Sequence, residues 1–441
     1  MIPRPPSSTI YALSTGTGRA GIAVVRVSGP AASVALTKLA GKPPSPRAAA
    51  LRVLKGAWGD VIDQAMVLWF PGPHSVTGED VAEFHVHGSP AVLEVVLSEL
   101  AAIEGLALAE PGEFSRRAFE NGKLDLVEVE GLADLLSATG DAQRRLAMRQ
   151  FLGEASAAYE GWRSKVISAL ALHEAAIDFV EEDDVAARAR DMAGPVIAEL
   201  VLELGSALSR SAQNAAIRSG LRLVIAGPPN AGKSSLLNAL AGREAAIVSP
   251  VPGTTRDVVE AQILFEGVPL ILQDTAGLRA QTGDQIEAEG MARAQSAAAA
   301  ADILLWVTAP DVTETVGPAR IPDLVVGLKA DLDSIRTRND EVLAVSSKTG
   351  FGLSGLRLRL KKLIQHRVAG VDDAVVVRHR HVLAVQETIR LLNDCLAEDN
   401  RPHELITEDL RKATLALGSI TGHVGVEDLL TKIFAEFCIG K

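Results

Sequence analysis

The 441-residue sequence is poor in cysteine, in aromatic residues and in positive charge. Its two cysteines, Cys395 and Cys438, exclude a disulfide framework and indicate a reducing compartment. The formal net charge of −11 excludes an overall positive field for nucleic acid or anionic membrane, so any RNA contact needs a local basic patch or a partner subunit. No basic-then-apolar signal opens the sequence, and no uninterrupted apolar run reaches about 18 residues. We therefore expect a cytoplasmic protein that does not contact a membrane.

A glycine-bracketed segment, Gly227-Pro-Pro-Asn-Ala-Gly-Lys-Ser234, lies between an apolar run and an apolar-periodic helix. This order of strand, loop, Lys-Ser and helix is typical of a loop that binds phosphate groups with its backbone N–H groups and with the helix N-terminus. In such a loop Lys233 reaches the β- and γ-phosphates and Ser234 ligates Mg²⁺. The segment therefore predicts a nucleoside triphosphate site.

The segments that follow occur in the order found in GTPases. The loop Ser249-Pro-Val-Pro-Gly-Thr-Thr-Arg-Asp257 offers a second Mg²⁺-ligating hydroxyl, best supplied by Thr255. A hairpin predicted to turn at Glu266-Gly267 then leads to Asp274-Thr-Ala-Gly277. There Asp274 can hold the Mg²⁺ shell and the Gly277 N–H can contact the γ-phosphate. Both loops can respond to the γ-phosphate, which indicates a switch as well as a catalyst.

The choice of base depends on Leu328-Lys-Ala-Asp331, which follows a predicted strand at 324–327. Asp331 can accept hydrogen bonds from the two N–H groups of guanine, a pairing that adenine cannot supply. Leu328 stands where this motif usually has Asn, so we expect guanine selectivity with weaker GTP affinity. The segment Val345-Ser-Ser-Lys348 is predicted to pack against the base.

The residue directly after Asp274–Gly277 cannot orient the attacking water, because its side chain is apolar. Many GTPases have Gln at that position, where this sequence has Leu278. Glu287 and Glu289, on the following predicted helix, are the candidates for this role. No arginine finger is identifiable, and the Asn230 side-chain oxygen is predicted to help hold a monovalent cation against the phosphates.

The N-terminal part of the sequence predicts strands at 9–13, 22–27, 65–70 and 81–87 and a helix at 30–39. In the last strand, period-two alternation places Glu83, His85 and His87 on one face, opposite Ala82, Phe84 and Val86. Three interpretations of the polar face remain open. It is a metal site, a solvated strand face, or a small-molecule pocket in which Glu83 accepts hydrogen bonds from adjacent N–H donors such as those of a pterin.

Helical patterns occupy residues 122–218 and 372–441, including a seam through His173 and a continuous helix predicted at about 195–217. We expect His173 to be a packed core histidine. Neither helical block looks able to bury its apolar face alone, which predicts one bundle with the nucleotide domain inserted between its halves. The expected domains are 1–121, 122–218, 219–371 and 372–441. The fold class is multidomain: an α+β N-terminal domain, a split helical bundle and a P-loop GTPase (Ras-like α/β) domain.

The phosphate loop, the Gly253-Thr-Thr-Arg-Asp segment, Asp274-Thr-Ala-Gly-Leu-Arg279 and the terminal Phe437-Cys-Ile-Gly-Lys441 together resemble the MnmE (TrmE) tRNA-modification GTPases, within the TrmE-Era-EngA-YihA-Septin-like superfamily. The resemblance covers essentially the whole chain. It implies a folate-binding N-terminal domain, a homodimer, and a flavin-containing partner, MnmG, that forms a heterotetramer with it. It also implies K⁺-dependent GTP hydrolysis and formation of 5-carboxymethylaminomethyluridine at the wobble position (U34) of certain tRNAs. The implied one-carbon donor is 5-formyl- or methylene-tetrahydrofolate.

The resemblance assigns roles to individual positions. Folate binding falls on Arg26, Glu83, Lys123 and Lys441. The K⁺ site falls on Asn230, Ser249, Val251 (by its backbone) and Thr254, and the Mg²⁺ site on Ser234 and Thr255. The catalytic positions are Glu287, Lys233 and Cys438. Expected GTP contacts are Asn230, Ala231, Gly232, Lys233, Ser234, Ser235, Ser249, Thr254, Thr255, Asp274, Thr275, Ala276, Gly277, Lys329, Asp331 and Ser346.

A second function class remains open from the nucleotide domain alone: a regulatory GTPase, such as a ribosome-assembly switch, without modification chemistry. Glu83, Lys123 and the Cys438–Lys441 tail favour the modification enzyme.

Overall fold

The computed structural model describes residues 8–178, 183–242, 260–274, 295–312, 317–332, 342–370, 374–397, 401–424, 427–435, 437, 439 and 440. Contacts within the chain define two compact units. The first unit is Met1–Ala133, Phe151–Arg163 and Thr414–Lys441, and the second is Asp134–Gln150 and Ser164–Ala413. Each unit contains one six-stranded sheet among the described residues.

The secondary-structure elements are numbered in chain order. The strands are β1 (Thr9–Leu13), β2 (Ala20–Ser28), β3 (Ala50–Lys55), β4 (Val61–Phe70), β5 (Val81–Gly88), β6 (Leu106–Leu108), β7 (Leu221–Ala226), β8 (Glu260–Phe265), β9 (Val268–Asp274), β10 (Ile303–Thr308), β11 (Leu324–Gly327) and β12 (Val342–Ala344). The helices are α1 (Ala32–Ala40), α2 (Pro90–Ala101), α3 (Glu113–Glu120), α4 (Leu126–Ser137), α5 (Asp141–Phe151), α6 (Glu154–Asp178), α7 (Asp183–Ser209), α8 (Ser211–Ser219), α9 (Lys233–Ala241), α10 (Leu353–Val368), α11 (His379–Leu396), α12 (His403–Thr421) and α13 (Glu427–Ala435).

The sheet of the first unit has the strand order β3-β4-β5-β2-β1-β6. Strand β6 pairs parallel to β1, and the other neighbouring pairs are antiparallel. Alternate strand residues such as Val25 and Phe84 point to one face, where they form a core with Leu36 of α1 and Leu100 of α2. The opposite face of the sheet therefore carries the polar residues of β2 and β5.

The predicted N-terminal strands and helix are confirmed. The burial of β5 alternates as expected, with Ala82, Phe84 and Val86 in the core. The elements β3, β6, α2 and α3 were not predicted. Helix α2 nevertheless has clear start signals, because the Ser89 hydroxyl accepts a hydrogen bond from the Val92 N–H and Pro90 occupies the first turn.

A second apolar cluster in the first unit joins the middle of the chain to its end. Leu126 and Val129 of α4 pack with Ile433 and Phe434 of α13 and with Phe437. Beyond this cluster, Ile439 forms an isolated antiparallel bridge with Pro111. The C-terminal tail therefore lies against the segment that precedes α3.

The sheet of the second unit has the strand order β12-β11-β10-β7-β9-β8. Strand β8 is antiparallel to β9, and the remaining neighbouring pairs are parallel. Strand β7 lies in the interior of the sheet, and its apolar side chains are buried, as its continuous apolar run predicts. The predicted hairpin turn at Glu266-Gly267 is confirmed, with positive φ at both residues.

The helices of the second unit differ from prediction in one place. A single helix was expected at 195–217, but α7 continues through Pro195 and ends at Ser209, and α8 follows after Arg210. Proline is common in the first turn of a helix, which is why its position suggested a start there. His173 is buried and its Nδ1 lies 2.8 Å from Nδ1 of His403, which confirms a packed histidine.

Among the described residues, one segment, Asp191–Ser219, is long and apolar enough to cross a membrane by length and composition. It includes Pro195 and the interruption between α7 and α8. A single segment of this kind is weak evidence for a membrane span.

Candidate functional site

The phosphate loop connects β7 to α9 and depends on backbone conformations that favour glycine. Gly227 has a φ of 150° and Gly232 has a φ of 99°. A methyl group at Gly227 would lie 2.3 Å from the Val307 carbonyl oxygen, so this position has no room for a side chain. Asn230, at the exposed tip of the loop, also has a positive φ, of 62°. The loop is therefore fixed by close backbone packing, as the motif requires.

Lys233 is the first residue of α9 and is 5% exposed. Its Nζ donates hydrogen bonds to the carbonyl oxygens of Gly227, at 3.0 Å, and of Pro228, at 2.8 Å. The ammonium group is thereby held within the loop, at the positive end of the helix. Ser234 and Ser235 follow in the first turn of α9 and are exposed, and Ala231 is buried.

Asp274 ends β9, the strand that pairs with β7. In the parallel register Asp274 is the partner of Ile225, two residues before the phosphate loop begins. The carboxyl ends of these parallel strands meet at one edge of the sheet, so Asp274 lies at the edge from which the phosphate loop emerges.

The two segments predicted to contact the base lie together. The Ser346 hydroxyl donates a hydrogen bond of 2.7 Å to the Asp331 carboxylate, and the Ala330 N–H donates to the Val345 carbonyl oxygen at 3.2 Å. The Ser346 hydrogen bond holds the pKa of Asp331 below its ordinary value, so the carboxylate stays ionised as an acceptor. Lys329 has a positive φ of 58° and its Nζ pairs with the Asp311 carboxylate.

Leu328, the residue in place of the usual Asn, is buried in the apolar core of the second unit. Its Cδ1 lies 3.5 Å from where a Cβ of Gly232 would be, so it packs against the end of the phosphate loop. An apolar contact here connects the segment predicted to contact the base with the phosphate loop. The side chain has no polar group with which to contact a base.

In the first unit, the polar face of the sheet contains an ion pair between Arg26 and Glu83. Arg26 and Glu83 are directly opposite on β2 and β5, and Arg26 Nε lies 2.9 Å from Glu83 Oε1. His85 Nε2 lies 3.2 Å from the other oxygen, and the Arg26 guanidinium lies 5.8 Å from the centre of the Phe114 ring. The Glu83 side chain is 15% exposed, so the pair is largely shielded from solvent.

His87, which follows Glu83 and His85 on the same face of β5, pairs with a different residue. His87 is exposed, and its Nδ1 lies 2.7 Å from the Asp63 carboxylate. Burial alone would raise the pKa of Asp63, but hydrogen bonds from His87 and the Gln64 backbone outweigh it and lower the pKa. In the described part of the chain, no group of three His, Cys, Asp or Glu residues is arranged to hold a metal ion. The metal-site interpretation of Glu83, His85 and His87 is therefore not supported.

A buried ion-pair network that no sequence pattern predicted lies in the same unit. Arg117, on α3, is 7% exposed and pairs with Glu79 at 3.1 Å and with Glu113 at 2.9 Å. The Ser28 hydroxyl donates to Glu79 at 2.7 Å. The charge concentrated in Pro111–Arg117 was the only sequence signal for this network and for the Phe114 contact. Glu79, which pairs with Arg117, and Arg26, which contacts Phe114, are both distant from α3 in the sequence.

Lys123 is exposed in the turn after α3, and its backbone N–H donates to the Ala118 carbonyl oxygen at 2.7 Å. Its Cε lies 3.5 Å from where a Cβ of Gly78 would be, which places it beside the Thr77–Asp80 segment. At the tail, Gly440 packs against the Leu13 carbonyl at the end of β1. The remaining predicted site residues lie outside the described residues: Ser249, Val251, Thr254, Thr255, Thr275, Ala276, Gly277, Leu278, Glu287, Glu289, Cys438 and Lys441.

The fold and site of the second unit define a P-loop protein with the Ras-like sheet of the GTPases. Two family models match the chain: the model described as "GTP-binding protein TrmE N-terminus" over residues 9–123 and the "MnmE helical domain" model over residues 126–438. The tRNA modification GTPase MnmE of Methylobacterium sp. (strain 4-46) is 47% identical over 442 residues, covering 99% of this chain and 100% of the relative. The protein of the same description from Maricaulis maris is 45% identical over 440 residues, covering 99% and 100%. The chain belongs to the MnmE family of tRNA modification GTPases.

Proposed function

We propose that this protein hydrolyses GTP in a K⁺-dependent reaction. With MnmG, it forms 5-carboxymethylaminomethyluridine at the wobble position (U34) of certain tRNAs. The observation that carries the proposal is the pairing of a complete phosphate loop with the Asp331–Ser346 base site, in a chain related over its full length to tRNA modification GTPases. The proposed domains are 1–121, 122–218, 219–371 and 372–441, in a cytoplasmic protein.

The geometry of the phosphate loop fits a triphosphate with Mg²⁺. The N–H groups of residues 230–235 lie at the start of α9, where the helix dipole favours negative charge. Lys233 would exchange its two loop carbonyls for phosphate oxygens. We propose that Ser234 and Thr255 hold Mg²⁺, and that Asp274 and the backbone of Thr275, Ala276 and Gly277 face the γ-phosphate.

Guanine selectivity is assigned to Asp331. Its carboxylate already accepts one hydrogen bond, from Ser346, and keeps lone pairs for the two N–H groups of guanine. A site with an ionised acceptor rejects a base that leaves that acceptor unpaired by about 10⁴-fold or more. Because Leu328 offers no amide to the base, GTP binding depends on Asp331 more than in relatives that have Asn there.

We assign the K⁺ site to Asn230, Ser249, Thr254 and the Val251 carbonyl. Asn230 fits this role because it is exposed at the tip of the loop, beside the position of the phosphates. A bound monovalent cation would supply positive charge in the place of an arginine finger. Glu287 is proposed to orient the attacking water, with Glu289 as the alternative.

The polar face of the first unit is proposed to bind a tetrahydrofolate derivative. Glu83 uses one lone pair on each oxygen for Arg26 and His85, so both oxygens can still accept from a pterin amide and amine. The tail lies against the end of β1, whose Ala12 is the strand partner of Arg26. Its last residues, Cys438 and Lys441, are therefore proposed to complete this site together with Lys123.

The polar sheet face also has an apolar edge that supports a homodimer. Leu51 and Val53 on β3, Met66 on β4 and Ile22 on β2 are 43–65% exposed. Exposed apolar side chains on a sheet are typical of an interaction surface. We propose that it contributes to a dimer of first units and that the dimer joins MnmG in a heterotetramer.

Nucleoside mass spectrometry of tRNA from a deletion strain tests the proposed function. The modified wobble uridine should disappear in the deletion strain and return with the wild-type gene, but not with Lys233→Ala. Purified wild-type protein should hydrolyse GTP much faster than ATP. Unchanged modification in the deletion strain, together with GTP hydrolysis, would instead indicate the regulatory ribosome-assembly GTPase.

A further inference from the structure

The β8–β9 hairpin links the two loops that are proposed to contact the γ-phosphate. β8 begins at Glu260, immediately after the loop that contains Thr255, and β9 ends at Asp274, immediately before Thr275. Any displacement of either loop therefore acts on a strand of this hairpin. The far end of the hairpin is the turn at Glu266-Gly267.

That turn is in direct contact with the start of α5. The Asp141 N–H donates a hydrogen bond of 2.8 Å to the Gly267 carbonyl oxygen. Next to it, a methyl group on Gly140 would lie 2.5 Å from that same oxygen and 2.5 Å from Cδ of Pro269. Only glycine allows the two backbones to approach this closely.

Apolar packing extends this contact along α5. Ala142 and Leu146 are each 3% exposed and belong to the same core as Phe265 and Leu270, one on each strand of the hairpin. Protein cores are close-packed, so a movement of the hairpin cannot be absorbed by empty space beside α5.

The same segment also contacts the end of α8, the helix that leads into β7. The Gln143 side chain donates to the Arg218 carbonyl oxygen at 2.8 Å and accepts from the Gly140 N–H at 3.4 Å. The Asp134 carboxylate pairs with the Arg218 side chain at 2.9 Å. Arg218 lies three residues before β7, which leads into the phosphate loop. Residues 134–146 thus contact both the β8–β9 hairpin and the end of α8, which leads into β7.

We propose that Gly140 and Asp141 are positioning residues for GTP hydrolysis. Their contact with the Gly267 turn holds the hairpin in the orientation from which both γ-phosphate loops reach catalytic geometry. Conversely, the nucleotide state acts on α5 through the same contact. The inference rests on the proposed GTPase function. It adds Gly140 and Asp141 to the residues on which hydrolysis depends, although neither is proposed to contact the nucleotide or a metal ion.

Gly140→Ala tests the role of the close approach, and Gly205→Ala is the matched control. Gly205 lies in α7 with nothing within 4 Å of an added methyl group. Gly140→Ala should lower kcat for GTP about threefold to tenfold, while the Kd for a GTP analogue and the KM change less than about twofold. Gly205→Ala should match wild type. The double variant Gly140→Ala, Pro269→Ala removes the ring carbons that the new methyl group meets and should recover part of kcat.

Hydrogen exchange on the wild-type protein tests the same contact without a substitution. The peptide that contains Asp141 should change its exchange rate at least about threefold between GDP and a non-hydrolysable GTP analogue, and a peptide from α11 should not. Wild-type kcat in Gly140→Ala, or equal exchange of the Asp141 peptide in both nucleotides, would overturn the inference and leave the GTPase function intact. Absence of GTP turnover in the wild type would count against the proposed function instead, and the exchange measurement would still decide the contact.

Discussion

Replacing Gly440 with alanine should separate the chemistry of the tail from GTP hydrolysis. Gly440 has a φ of 96°, and a methyl group there would lie 2.0 Å from the Leu13 carbonyl oxygen and 3.1 Å from Cα of Ser14. All of these neighbours are backbone atoms at the end of β1, which cannot rotate away as a side chain can.

The magnitude follows from the few contacts that hold the tail. A non-glycine residue with positive φ costs about 1–2 kcal/mol, and the contact with Leu13 adds to this cost. The bridge between Ile439 and Pro111 holds the tail in place, and its hydrogen bonding contributes about 1 kcal/mol, which is less than this cost. The tail beyond Phe437 should therefore leave its position in most molecules, whereas buried Phe437 remains in its apolar cluster.

The assay compares three properties of Gly440→Ala with those of wild type. Wobble-uridine modification in a complemented deletion strain should fall at least about tenfold, since about 1.4 kcal/mol is a tenfold change in population. GTP turnover should stay within about twofold, and the midpoint of thermal unfolding should change by less than about 2 °C.

Gly41→Ala is the matched control for Gly440→Ala. Gly41 also has a positive φ, of 76°, but nothing lies within 4 Å of an added methyl group. The control should keep normal modification. If Gly440→Ala modified tRNA as well as wild type, the position of the tail against β1 would have no part in the chemistry, and the assignment of Cys438 and Lys441 to this site would be wrong.

Three further predictions concern the second unit. Exchanging K⁺ for Na⁺ should slow GTP hydrolysis about tenfold or more, and Asn230→Ala should remove most of this difference; equal wild-type rates in both salts would refute the cation site. Glu287→Ala should bind a fluorescent GTP analogue normally and lose turnover, and the same result with Glu289→Ala instead would move the role by two residues. Burial alone would raise the pKa of Asp323, but hydrogen bonds from the Leu304 N–H and Arg320, with the charges of Arg320 and Arg367, lower it. The stabilisation from this carboxylate is therefore present above the usual carboxyl pKa and is lost as pH falls through the lowered value. Asp323→Asn should therefore lower the free energy of unfolding, measured by urea titration, by about 2 kcal/mol at pH 7. The difference from wild type should shrink at acid pH. A difference that does not change with pH would show that the ionised carboxylate is not the stabilising form.

Features that depend on neighbouring residues could be predicted from the sequence. The phosphate loop and the Glu266-Gly267 turn are defined by short runs whose backbone needs are local. Strand periodicity alone places Glu83 on one face of the sheet and Phe84 on the other face. The opposite strand residue, Arg26, came from the family resemblance, because periodicity does not reveal strand register.

Features that depend on distant parts of the chain could not be predicted. Nothing near Gly140 in the sequence indicates that it contacts the Gly267 turn, and the two are joined only in the folded second unit. The Arg117–Glu79 pair and the cation–π contact of Arg26 with Phe114 likewise require tertiary packing. The start of α7 was placed too late because Pro195 suggested a helix start, whereas the helix continues through that residue.

The bridge between Pro111 and Ile439 has a consequence for biosynthesis. A ribosome makes the N-terminal sheet early, and domains generally fold in that order during translation. Ile439 follows the whole second unit in the sequence, so a nascent or prematurely terminated chain can already contain that unit while it still lacks the bridge to Pro111. Such fragments would hydrolyse GTP without completing the site on which the modification chemistry is proposed to depend.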